Sequence, residues 1–117
     1  MDESLFRQLL SRSTHAVLDQ PTLAKGADYL RHSRVREIWY ESAGDSGTLF
    51  GAVQGREHEP YTAAIMIGLN GGKPKFDTQC TCPLEGECKH VAAVALKMLG
   101  ARASAFEPGK PMAVAGT

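Results

Sequence analysis

The chain has 117 residues, 43% of them hydrophobic and 22% charged, which suits one modest globular domain and excludes wholesale disorder or a fibre. Thirteen basic residues balance thirteen acidic ones, so a generally basic surface for nucleic acid is excluded and any phosphate contact must come from a local patch. No apolar run approaches the roughly 18 residues that cross a bilayer, and the start is acidic rather than signal-like, which predicts a cytoplasmic protein with no membrane partner.

In chain order, Leu5, Phe6, Leu9 and Leu10 recur at helical spacing behind Asp2 and Glu3, predicting a helix over 4–12. A second helix opens at Asp19 as N-cap with Pro21 in its first turn, carries Leu23, Ala27 and Leu30 on one stripe, and ends near Ser33. From Val35 the texture changes to short β-branched and aromatic runs separated by glycine or charged breaks, predicting strands over 35–41, 48–54, 61–69 and 75–80. The sharpest of the intervening turns is Asn70-Gly71-Gly72, whose residues tolerate positive φ. A last helix over 89–99 follows, with Val91, Val94, Ala95 and Met98 as its apolar stripe and Gly100 as its stop.

The expected fold class is α+β: N-terminal helices, a small antiparallel sheet of about four strands, and a C-terminal helix. One domain covers 1–100, with a helical lead-in over 1–34, strands over 35–79 and the final motif and helix over 80–100. Residues 101–117 lack periodicity and read as a flexible tail or linker. There is no internal repeat and no Walker-type glycine loop.

Residues 80–90 read CTCPLEGECKH. Cys80, Cys82, Cys88 and His90 are all zinc-ligand types, and three cysteines within nine residues cannot pair off completely as disulfides. Cys80 and Cys82 end a strand, where a period of two sends both sulfurs to one side. Cys88 and His90 would diverge on an established helix, so Cys88 is expected just before the helix and His90 in its first turn. The loop 83–87 then reverses the chain through Gly86. The predicted site holds one structural zinc ion, with four protein donors and no open position, which argues against an enzyme and against a small-molecule substrate. Free buried cysteines or a redox pair are the alternative, with thiol or hydrolase chemistry as its enzymatic form; Glu85 and Glu87 read as solvent-facing.

Arg31, Arg34 and Arg36 form a basic cluster that reads either as a phosphate contact or as a solvated helix end with favourable C-terminal charge; Lys89, wedged between two ligands, is the other candidate for phosphate contact, with Lys73 and Lys75 extending its patch. Trp39, Tyr40 and Phe50 read as packing residues, and His15, His32 and His58 as ordinary surface or capping histidines.

C-x-C followed by C-x-H, entering a helix of sequence CKHVAAVALKML, closely resembles the SWIM zinc finger, in the version found near the N-terminus of bacterial Swi/Snf-type helicase-like ATPases. Gly26, Tyr29, Arg34, Val35, Gly47 and Gly55 resemble the lead-in of those proteins; Ser33 departs from it, standing where a glycine often ends the helix. The resemblance implies a ββα-like finger that binds DNA or protein inside a larger machine, although no ATPase motor lies within these residues. Partners compatible with this reading are DNA, a Swi/Snf-type ATPase, or another protein that docks on an exposed strand edge or the outer face of the last helix.

Overall fold

The computed structural model describes residues 1–56, 58–82 and 88–100 together with the backbone of Met112–Ala113. The expected loop 83–87, with Glu85, Gly86 and Glu87, lies outside the described residues. So does the tail expected over 101–117, apart from those two residues.

Helix α1 (Glu3–Val17) is capped by Asp2, whose side chain accepts from the Leu5 backbone N–H at 2.7 Å. It runs past the expected end because its buried stripe of Phe6, Leu10 and Thr14 continues through a threonine, which a search for apolar residues passes over. Helix α2 (Gln20–Arg31) opens at Asp19, which accepts from Thr22 N–H at 2.9 Å, with Pro21 in the first turn as expected. It closes with two backbone bonds, Ser33 N–H to Leu30 O and Arg34 N–H to Tyr29 O, around Ser33 at φ 56°. That is a Schellman closure with serine in the left-handed position where glycine is usual.

Strands β1 (Val35–Ala43), β2 (Ser46–Val53), β3 (Tyr61–Asn70) and β4 (Lys73–Cys80) form an antiparallel sheet. The β1–β2 and β3–β4 hairpins close in two residues each, so their strands run longer there than predicted. Ala43 pairs directly with Ser46, and Asn70 with Lys73 across Gly71 and Gly72, whose φ values of 62° and 83° fit the twist-matched turn. A bulge in β1 leaves Arg36 without a cross-strand partner. A two-residue strand, β5 (Met112–Ala113), follows after helix α3 (Lys89–Gly100) and pairs with β1, giving the order β4-β3-β2-β1-β5.

Helix α3 lies over one face of the sheet, touching β1 to β4, and packs against α2 and α1 on its other side. Every residue from His90 to Ala95 is buried, because α2 covers the side that the sheet does not. The surface that α3 leaves part-exposed is confined to Lys89, Leu96, Lys97 and Leu99 before Gly100. Burying each of Val91, Val94 and Met98 contributes roughly 1.5–3 kcal/mol. The approach of α2 to α3 is backbone-close: a Cβ on Gly26 would meet Ala92 Cβ at 2.6 Å and Ala93 N at 2.8 Å. Tyr40 is core, packed at a tilt against Phe6 and donating to Met1 O at 2.6 Å, and Trp39 stacks on Phe50 across β1 and β2. Trp39 and Phe50 sit on the sheet face opposite the helices, where Met66 is 46% exposed. Among the described residues, no helix is long and apolar enough to cross a membrane.

Candidate metal centre

Cys80 ends β4, and the chain stays in sheet register one residue further. Thr81 N–H donates to Thr62 O at 3.1 Å, and Thr62 N–H donates to the Thr81 hydroxyl oxygen at 3.0 Å. Thr81 thereby fixes the backbone between two cysteines whose side chains alternate back to the same side. Cys88 directly precedes α3 and its carbonyl accepts the first helical bond, from Ala92 N–H at 3.0 Å; His90 then falls in the first turn. The four donor atoms lie within 4.8 Å of one another.

His90 Nδ1 is 3.6 Å from both Cys80 Sγ and Cys88 Sγ. A tetrahedron built with zinc–sulfur bonds of about 2.3 Å and zinc–nitrogen bonds of about 2.0–2.1 Å has nitrogen–sulfur edges of about 3.6 Å, so the donors present fit the ion. Burial supports the same conclusion, since Cys82, Cys88 and His90 are each at most 7% exposed and Cys80 is half-buried. Cys80 and Cys88 share a proton. Cys88 is lowered to about 3, first by the hydrogen bond from the Cys80 thiol and then, against the opposing effect of burial, by His90 and the Val91 and His90 backbone N–H groups. Cys80 is raised, first by the proton it shares with Cys88 and then by burial. A divalent cation replaces that shared proton, which makes its binding pH-dependent.

The outer side of the histidine is aromatic. Tyr61 packs on the His90 ring at 4.8 Å and Tyr29 meets it edge-on at 5.4 Å, while Nε2 is buried without a hydrogen-bond partner among the described residues. Tyr61 can sit there because residue 55 is glycine: a Cβ would stand 2.4 Å from its ring. With Nδ1 facing the sulfurs, the ring orientation is set by packing rather than by the more usual carboxylate or carbonyl.

The basic candidates separate into two groups. Lys89 Nζ and the Arg34 guanidinium lie over the Tyr29 ring, at 5.1 and 5.3 Å. Arg31 is exposed and paired with Asp28 at 3.4 Å, and Arg36 is exposed on the β1 bulge. Lys73 and Lys75 sit at the opposite end of β4, Lys73 about 23 Å along the strand from Cys80, so they do not extend the Lys89 patch. Sequence reasoning missed Thr81, Tyr61 and Arg56. Thr81 had a signal in its place between two ligands; Arg56 had none, being brought in by the loop after β2.

The fold and site define a zinc-stapled α+β module. Residues 69–99, from the end of β3 through nearly all of α3, match the family model described as SWIM zinc finger. No curated protein and no solved structure matches the chain. The matched stretch contains all four donors, a SWIM zinc finger is a binding module rather than a catalytic family, and the Cys80, Cys82, Cys88 and His90 cluster fits one structural zinc ion.

Proposed function

We propose that this SWIM zinc-binding module is non-catalytic and binds DNA, with zinc holding the start of α3 in place. The reading rests on one observation: Lys89, between two zinc ligands, and Arg34, at the start of the sheet, share the Tyr29 ring beside His90. Lys89 projects from the first residue of α3 and Arg34 from the residue leading into β1, so the backbone that carries both is placed before DNA arrives. Four protein donors complete a tetrahedral shell and leave no position for substrate, which supports a structural ion. The lead-in resemblance, through Gly26, Tyr29, Arg34, Val35, Gly47 and Gly55, supports a place as an accessory part of a Swi/Snf-type helicase-like ATPase system in the bacterial cytoplasm.

With a net charge of zero, affinity is expected to be modest and salt-sensitive. Fluorescence anisotropy with duplex and single-stranded oligonucleotides should give binding at low salt that weakens steeply as salt rises. Absence of binding at low salt, or unchanged binding after zinc is chelated, would contradict the proposal.

A second reading, protein docking without nucleic-acid contact, is favoured by the open face of the sheet. There the stacked Trp39 and Phe50 and the exposed Met66 lie on the side opposite the helices. A metal-dependent protein complex that forms while both oligonucleotides fail to bind would select it.

A further inference from the structure

Beside the metal centre a cleft of about 410 Å³ is lined by Asp28, Tyr29, His32, Arg34, Arg56 and Lys89. These residues come from the end of α2, the residue leading into β1, the loop after β2 and the first residue of α3, so only the folded domain assembles them. Its charge balance is one-sided. The carboxylate of Asp28 is engaged by Arg31 at 3.4 Å and lies 3.5 Å from His32 Nδ1. Arg34, Arg56 and Lys89 have no carboxylate within ion-pair distance among the described residues. Arg34 is steadied by a bond to Gln54 O at 3.4 Å, which leaves other guanidinium N–H groups to donate. Three thiolates around a dication leave the neighbouring zinc centre at net −1, less than the three cations facing the cleft.

We infer that this cleft is a phosphate-group site, with Arg34, Arg56 and Lys89 as its donors and Tyr29 as its wall. Among the described residues the charge disfavours a metal cation, and the polar lining disfavours an apolar ligand. A stacked base is disfavoured because both Lys89 and Arg34 already lie over the Tyr29 ring, which makes the ring a platform for cations. Guanidinium groups match the oxygens of a phosphate in a way that suits this geometry. The phosphate can be free or part of a nucleic-acid backbone; the second source rests on the DNA binding proposed above, whereas the cleft does not.

The test has two arms, both on the zinc-loaded full chain. In the first, inorganic phosphate is titrated against backbone amide resonances, with chloride at matched ionic strength as control. Saturable shifts at Arg34, Arg56 and Lys89 are expected with phosphate alone. In the second, oligonucleotide affinity is measured against salt for the wild type, Arg56→Ala, Arg56→Lys and Lys73→Ala. Arg56→Ala should weaken binding and reduce the log–log salt slope by about one, Arg56→Lys should largely restore it, and Lys73→Ala, at the far end of β4, should match the wild type. A response in either arm supports the site, and phosphate shifts without DNA binding would retain it while contradicting the proposed function. If phosphate acts no differently from chloride and Arg56→Ala leaves DNA binding or its absence unchanged, the inference is overturned.

Discussion

Ser33 is the only non-glycine residue with positive φ among the described residues, and its position explains why it carries that conformation. The bonds from Ser33 N–H and Arg34 N–H to Leu30 and Tyr29 must form for α2 to stop and β1 to begin at Val35. In doing so they hold Tyr29 beside His90 and Arg34 over the Tyr29 ring. A left-handed L-residue costs about 1–2 kcal/mol, so Ser33→Gly should stabilise the zinc-loaded protein by about 1 kcal/mol in chemical denaturation, after the extra entropy of an unfolded glycine. An unchanged or lowered midpoint would show that the serine makes a compensating interaction. The left-handed conformation at Ser33 gives a backbone reason for a glycine to be favoured at this position.

At the scale of elements, the helix–sheet division and the four ligands were readable because each depends on local pattern: caps at Asp2 and Asp19, alternation through Ala63, Ile65 and Ile67, and C-x-C entering from a strand. What could not be read was which elements share a face. Val91, Val94, Ala95 and Met98 describe a one-sided stripe, yet Ala92 and Ala93 are buried too. Alanines are small enough to accept a second helix at contact distance, and periodicity does not register them. The same limit grouped Lys73 and Lys75 with Lys89, since closeness in sequence says nothing about opposite ends of a strand. Gly26 tests the hidden packing. Propensity alone predicts that Gly26→Ala stabilises α2 by about 1 kcal/mol, but its Cβ would press on the α3 backbone, and overpacking costs about 1–3 kcal/mol. We expect a net loss of stability by thermal denaturation. A gain would mean that α2 and α3 separate without penalty.

Across the whole molecule, α3 is the element on which the others converge, and zinc fixes its first turn to the end of β4. The burial of Val91, Val94 and Met98 favours docking of the helix, yet each term is only a few kcal/mol before chain entropy is counted. Structural zinc contributes on the order of 10 kcal/mol or more in peptide models, comparable with the net stability of a domain of this size. Loss of the metal should therefore release α3 from β4 and α2 together, and with it the Tyr29 wall and Lys89. The decisive measurement is elemental analysis of protein purified without chelators, paired with near- and far-ultraviolet circular dichroism before and after chelation. One zinc per chain is expected, with tertiary signal and part of the helical signal lost when it is withdrawn. A chain that carries no zinc and keeps its full fold would contradict the account.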